Sequence, residues 1–367
     1  LSITSAGAAT LASTLAVTSD LTASNFAGRN IVINGEMKVS QRNGTTATAT
    51  GINTYLIDRY VSYASGGSAY TVQQVTDAPA GFKNAAKVTI TTADSSIGSG
   101  DYAVMQYRAE GIDIAHFNCG TSDAETVTLS FWVKSSLTGN FGGAMRNGAV
   151  NRSYPYLYNI AQADTWEKKS VTLTLDTTGT WAVDTGQGLV FMWDFGSGTN
   201  FQGTADTWAG ANYHTAGSQV KLIATNGATW LVTGVQLEIG STATEFEHRT
   251  FGEELALCQR YFQQWGGNSG NERIGNGFNY NTVQARVDMV LPVAMRAAPT
   301  LSSPDVTKWS VEGAMGAIAC TAIAVDQPST KIAAINFTVG SGLTAGQGVH
   351  IMSGSNTVAR LLLTAEI

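Results

Sequence analysis

Residues 126–136 read TVTLSFWVKSS, and the alternation in this stretch decides the fold class. Val127, Leu129, Phe131 and Val133 fall on one face of a two-residue repeat, and Thr126, Thr128, Ser130, Trp132 and Lys134 on the other. Period two with one apolar face is the pattern of a strand half buried against a second layer. The pattern recurs outward in both directions. KKSVTLTLD, residues 168–176, aligns Val171, Leu173 and Leu175; WLVTGVQLEIG, residues 230–240, aligns Leu231, Val235, Leu237 and Ile239; KVTIT aligns Val88 and Ile90. In LVFMWDF, residues 189–195, both faces are apolar until Asp194, which predicts a central strand covered on both sides. Turn clusters such as Ser65-Gly66-Gly67, Thr178-Gly179 and Gly196-Ser197-Gly198 separate these runs. Many strands without a long helix predict a mainly β chain whose largest unit, residues 29–249, is a two-sheet antiparallel β-sandwich.

Two further units flank it. At Thr250 the period changes: Thr250 and Glu253 have capping-box spacing, and Leu255, Cys258, Phe262 and Trp265 follow on one face of a predicted short helix that Gly266-Gly267 ends. Strands then return to form a small C-terminal β domain, so that residues 250–367 make one unit. Val287, Met289, Leu291, Val293 and Met295 alternate around Pro292, which argues for an edge strand; KIAAINFTV and the final VARLLLTAEI supply more, the last pinned in a sheet or subunit interface. On the other side, residues 1–28 include LASTLAVTSDLTAS, too poor in large apolar side chains to bury a core. This segment reads as a stalk or fibre shaft in which identical chains wind together, or as a flexible linker. The absence of an initiator Met suggests a processed chain or a fragment, and no secretory signal pattern is visible.

The composition excludes several classes. Only 13% of the 367 residues are charged, against roughly 25% in ordinary soluble proteins, and the chain carries 40 glycines. No run of about 18 apolar residues exists to cross a bilayer as a helix. The net charge is −6 with no basic run, which argues against nucleic-acid binding. Cys119, Cys258 and Cys320 are too few and scattered for a disulfide framework or metal-ligand spacing and read as small hydrophobes.

No catalytic motif emerges. His116, His214, His248 and His350 are isolated, and no nucleophile elbow, phosphate loop or calcium loop is present. Glu36, Asp58, Glu110 and Asp113 are the carboxylates in a suggestive neighbourhood; a pair of them held roughly 5 to 10 Å apart would serve glycoside cleavage. Their ordinary reading, pairing with Arg or backbone donors, is favoured in a chain with so few charges. Aromatic side chains are the other candidates. Tyr154, Tyr156 and Tyr158 share a face in SYPYLYN, and the Gly-rich stretch 196–217 carries Phe201, Trp208, Tyr213 and His214. Flat rings among Asn, Asp and Gln suit the apolar face and hydroxyls of a sugar. The candidate carbohydrate-binding residues are therefore Trp208, Tyr213, Tyr154 and Tyr156, whereas Trp132, Trp166 and Trp193 are assigned to packing.

GVQLEIGSTATEFEHRTFGEELALCQRYFQ, residues 234–263, closely resembles a junction found in tail-fibre and receptor-binding proteins of tailed bacteriophages. RNIVINGEMKVSQRNG with YLIDRY, TVTLSFWVKSS with DTWEKKSVTLTLDTTGTW, and LPVAMRAAPT with LTAEI agree with it, so the resemblance reaches from about Arg29 to Ile367. It implies a jelly-roll sandwich similar to carbohydrate-binding modules and a homotrimeric fibre in the virion, made in the host cytoplasm. It also implies attachment to other tail or baseplate proteins through the N-terminal side and recognition of a bacterial surface glycan or protein receptor. It supplies no catalytic residue and no cofactor, so no enzyme and no membrane insertion are expected. In related modules a structural calcium lies between the first and last strands. Glu36 and Glu238 are the nearest residues here, but Thr233-Gly234 replaces the usual acidic pair and no metal is expected. The alternatives are a fibre-borne depolymerase using carboxylates such as Asp58 and Glu110, and a capsid or collar decorating fibre.

Overall fold

In a computed structural model of the chain, which describes residues 28–267, 270–303, 305–354 and 359–367, the TVTLSFWVKS stretch is a ten-residue strand inside a sandwich. The first strands in chain order are β1 (Thr48–Ala49), β2 (Thr54–Ile57), β3 (Tyr60–Ala64), β4 (Ala69–Val75), β5 (Ala85–Thr92) and β6 (Ala103–Glu110). After a four-residue helix, α1 (Gly111–Ile114), come β7 (Thr126–Ser135), β8 (Gly139–Asn147), β9 (Ser153–Ile160), β10 (Glu167–Thr174) and β11 (Gln187–Asp194). Two short strands, β12 (Gln202–Gly203) and β13 (Thr215–Ala216), precede β14 (Thr229–Ile239). The back sheet has the order β1-β4-β5-β14-β7-β10, and the front sheet β2-β3-β6-β11-β8-β9. Within both sheets every pairing is antiparallel, so the chain is a mainly β sandwich, as the alternation predicts.

The inner faces carry the core. Val127, Leu129, Phe131 and Val133 meet Phe191, Trp193, Met105 and Tyr107 from the front sheet, all buried. β11 lies between β6 and β8 with Val190 and Met192 buried on its outer side, the doubly covered strand that LVFMWDF predicts. On the outside of the back sheet threonine pairs supply neutral polarity: Thr128 and Thr172 bond side chain to side chain at 2.9 Å across β7 and β10, and Thr126 and Thr174 at 3.0 Å.

Two alternations are corrected by the structure. In β14 the register shifts between Thr233 and Gln236, with Gly234 at φ +61°; the bulge puts Trp230 and Val232 on the core face before it and Val235 and Leu237 after it. Leu231 therefore does not share a face with Val235, because one extra residue exchanges the two faces. Only glycine fits there, since a Cβ would lie 2.7 Å from the Phe82 ring and 3.1 Å from Trp132. The second correction concerns the helix. α2 (Phe251–Gln259) starts with the predicted capping box but stops before Phe262 and Trp265, which lie on a strand, β15 (Phe262–Gly266). Pairing of β15 with the last strand outweighs the helical spacing.

Beyond β15 lie β16 (Arg273–Asn279), β17 (Gln284–Val290), β18 (Thr300–Ser302), β19 (Trp309–Gly313), β20 (Gly316–Pro328), β21 (Ile332–Val339), β22 (Gly348–Ser353) and β23 (Arg360–Thr364). Six of them close a barrel in the order β16-β17-β21-β20-β19-β22, and β15-β23-β18 form a three-stranded sheet. β17 is paired on both sides and ends two residues before Pro292, so the expected edge strand is an interior barrel strand that the proline lies beyond. The unit is clamped to the sandwich by arginines. Arg59, 1% exposed, reaches Glu366 at 2.5 Å and lies over the Tyr261 ring, while Arg42 contacts both Glu366 and Asp58 and lies over Phe262. The predicted shaft falls almost wholly on residues 1–27, outside the described residues. Among the described residues no helix is long and apolar enough to cross a membrane.

Candidate functional site

Alternation along β6 sends Ala103, Met105, Tyr107 and Ala109 into the core, which leaves Val104, Gln106 and Arg108 on the outer face of the front sheet. The same parity sets Arg146 of β8 outward, since Phe141 and Met145 are core. Register then brings the two arginines into one row: Val190 of β11 stands opposite Arg108 on one side and Arg146 on the other. Two strand spacings place their Cα atoms roughly 10 Å apart. One row along, Met192 lies between Gln106 and Ala144, and both Met192 and Val190 are fully buried beneath this face.

A loop folds over this face after β11. The Asp194 carboxylate accepts from the Gly196 and Ser197 amides at 2.8 Å and from the Ser197 hydroxyl and the Gln219 side-chain amide, which fastens both ends of the loop to the strand. His214 donates its backbone N–H to the Phe201 carbonyl at 2.8 Å, and their rings stack with centroids 4.4 Å apart. Tyr102 packs edge-on against both. Between loop and sheet lies an open cavity of about 370 Å³, lined by Tyr63, Tyr102, Gln106, Arg108, Arg146, Val150, Gln187, Phe201, Asn212 and His214. Val150 holds φ +61°, a left-handed conformation that a β-branched residue rarely adopts. The hairpin turn that carries it is fastened by Asn147, whose side-chain oxygen accepts from the Asn151 and Arg152 amides.

The electrostatics are one-signed. Among the described residues no Asp or Glu lines the cavity, and neither Arg108 nor Arg146 pairs with an Asp or Glu side chain. Arg108 spends Nη1 on the Tyr55 hydroxyl and the Ile367 oxygen and Nη2 on the Tyr63 hydroxyl. Arg146, only 7% exposed, has a single long contact, Nη2 to the Gln106 Oε1 at 3.4 Å, and its Nε meets no partner. Burial, and then the Arg108 charge, pull the Arg146 guanidinium down to about 10, so it stays charged at neutral pH. Burial, with a smaller contribution from Arg146, holds the His214 imidazole down at about 3 and therefore neutral. Ser197 lies between Asp194 and His214, 3.3 Å from the His214 Nδ1, but it is fully buried and its hydroxyl bonds to the Asp194 carboxylate. That constellation fastens a loop and offers no accessible nucleophile.

The four aromatic residues singled out from the sequence lie elsewhere. Tyr154, Tyr156 and Tyr158 stand opposite Met145, Gly143 and Phe141 on the core side of β9. Tyr156 is fully buried with its hydroxyl on the Met192 carbonyl at 2.8 Å, which corrects the expectation of an exposed ring. Trp208 is half-buried against Tyr154 and Trp181 and donates its indole N–H to the Thr174 carbonyl at 2.9 Å, closing the sandwich edge between β9 and β10. Tyr213 sits in the covering loop beside Asn212 and His214, with its ring over Gly203. Trp193 is buried in the core, whereas Trp132 and Trp166 are half-buried.

The carboxylates considered for catalysis are engaged. Asp58 accepts from Gln41 and Arg42, and Glu110 takes a bidentate contact from Arg260 at 2.8 and 3.0 Å and the Tyr261 hydroxyl at 2.8 Å. Burial pushes the Asp58 carboxyl up, as it does, together with the nearby Glu110, for Asp113. Glu36 pairs with Lys38 at 2.7 Å, and Glu238 accepts from Gln236 and Thr244. Among the described residues no group of three acidic, His or Cys side chains could hold a metal ion.

No protein-family model matches the chain, and no curated protein matches it. Solved structures do. One is the enzymatically active domain of tailspike protein 4 of bacteriophage CBA120, 13% identical, with a TM-score of 0.32 over 58% of this chain and 22% of that one. Another is the family 11 carbohydrate-binding module of the cellulase Lic26A-Cel5E of Clostridium thermocellum, 16% identical, with a TM-score of 0.27 over 56% of this chain and 100% of the module. A third is TmCBM61 in complex with β-1,4-galactotriose, 8% identical, with a TM-score of 0.28 over 58% and 99%. The chain thus spans about a fifth of the tailspike chain it matches. At these scores the likeness carries nothing about function, and the sandwich rests on the strand order and register given above.

Proposed function

We propose that this chain is a glycan-recognition protein of a virion fibre, which attaches the particle to a bacterial surface without cleaving the sugar. The observation that carries the reading is the cavity on the outer face of the front sheet. Tyr63, Tyr102 and Phe201 offer ring faces and edges, while Gln106, Gln187, Asn212 and two guanidinium groups offer hydrogen bonds beside them. Concave sites of roughly 300 to 1,000 Å³ with a few converging polar groups suit small ligands, and a pyranose needs this mixture of flat apolar surface and directed donors. The resemblance of residues 234–263 to phage fibre junctions supports the virion setting and a homotrimer, in which the chain would join other tail or baseplate proteins by its N-terminal side. The engagement of Asp58 and Glu110 supports binding without hydrolysis.

Excess purified chain is expected to block phage adsorption to sensitive cells, and light scattering to give three times the 38.5 kDa chain mass. Incubation with capsule or lipopolysaccharide should release no new reducing ends. Undiminished adsorption in excess protein would refute the attachment role, and steady release of sugar would replace it with a depolymerase.

A further inference from the structure

The arginine row asks for something that a neutral sugar does not supply. Arg146 is 93% removed from solvent by the 7% exposure given above, has no counter-ion among the described residues, and keeps its Nε unpartnered. A buried charge without a partner is among the most costly features a fold can carry, and a neutral hydroxyl returns only part of that cost. Across the row Arg108 also leaves its Nε unpartnered, and the Asn212 side-chain oxygen at the cavity wall has no donor. The pieces are complementary to one chemical group: a planar carboxylate for the guanidinium fork, carried on a ring whose hydroxyls donate to Asn212.

Resting on the glycan reading above, we infer that the cavity recognises an acidic sugar, a uronic-acid unit of a surface polysaccharide whose carboxylate lies against Arg146. Tyr63 and the Tyr102–Phe201–His214 ring cluster take the ring. The neutral state of His214 leaves the positive charge of the cavity to the two arginines. Selectivity follows from geometry. With no lining carboxylate side chain and an Arg146 guanidinium that is buried and has no ion-pair partner among the described residues, an anionic ligand gains a charge-assisted contact that a neutral analogue of equal shape does not supply. The chain's net charge of −6 opposes long-range attraction of an acidic polymer, so the discrimination is local and only weakly screened by salt.

The test uses a hyaluronan hexasaccharide, an oligogalacturonate and an oligomannuronate, each beside its carboxyl-reduced form, titrated into the full chain by calorimetry. At least one acidic probe is expected to bind, with a tenfold or greater loss on carboxyl reduction. Arg146→Gln should erase that preference, so that acidic and reduced forms bind alike. Lys168→Gln, an exposed charge on the back sheet, should change neither. The melting temperature supplies a second readout. Removing an uncompensated buried charge should raise Tm for Arg146→Gln, whereas a residue that merely holds the sheet together would lower it. A conservative Arg146→Lys, which keeps charge without the fork, should bind the acidic probe at an intermediate level. Equal binding of acidic and reduced forms, an undisturbed preference in Arg146→Gln, or a fall in its Tm would overturn the acidic-sugar inference while leaving glycan recognition in place. Failure of every probe to bind would overturn this inference, and only undiminished phage adsorption in addition would remove the glycan reading.

Discussion

His214 is the residue whose burial has the most direct solution signature. An unfolded chain protonates this imidazole as pH falls through its ordinary value of 6.5, whereas the folded chain resists until about 3. Between those limits the unfolded state binds more protons, so stability contributed here is present above pH 6.5 and is lost as pH falls. His214→Gln should remove the dependence. The difference in unfolding free energy between wild type and variant should slope by up to about 1.4 kcal/mol per pH unit from 6 to 4, read from urea midpoints; a flat difference would show that the imidazole is accessible. The buried carboxyls of Asp58 and Asp194, which are pushed up, contribute with the opposite sign but are common to both proteins. Little of this site was legible residue by residue. Tyr154, Tyr156 and Trp208 are aromatic and near Gly-rich sequence, yet parity with Met145 and Gly143 turns the tyrosines inward and Trp208 closes an edge. The signal available was different: Gln106, Arg108 and Arg146 are polar at the outward positions of otherwise apolar strands in a chain with few charges.

Among the elements, β14 concentrates the fold's specificity. It pairs with β5 and β7, and its bulge at Thr233–Gln236 lets one strand present Trp230 and Val232 in one half and Val235 and Leu237 in the other to the same core. Gly234→Ala places a methyl group against the Phe82 and Trp132 rings in a left-handed backbone, and a loss of roughly 1–3 kcal/mol of stability is expected by thermal or urea unfolding. An unchanged midpoint would show that the bulge relaxes freely. Alternation identified β7 and β10, and β11 from Leu189 onward, correctly because these stretches carry no inserted residue; the register shift of β11 lies between Gln187 and Leu189, before the alternating run. It misassigned β14 because period-two reading has no way to see an inserted residue, and it extended α2 because Phe262 and Trp265 keep helical spacing while their pairing partners, Leu361 and Thr364, lie about 100 residues downstream.

On the scale of the whole molecule, the junction between sandwich and C-terminal unit is the feature least visible in sequence. Arg59 and Glu366 stand 307 positions apart and nothing local marks them as partners. Arg59→Met strips Glu366 of its closest cation and Tyr261 of its stacked guanidinium, so a loss of about 3–5 kcal/mol is expected, as for other broken buried pairs. Calorimetry should then separate a single unfolding peak into two, one for the sandwich and one for the barrel; a single peak at the wild-type temperature would show that the two units are joined by other contacts. The same long reach governs how the chain is born. On the ribosome, β5 and β7 are complete about a hundred positions or more before the distal end of the β14 strand that pairs between them, and Arg59 waits without its carboxylate partner until Glu366 is made. A nascent chain therefore exposes unfinished sheet edges for most of its synthesis, so its yield in a cell should depend on translation pace and on chaperones that shield those edges more than on the stability of the finished protein.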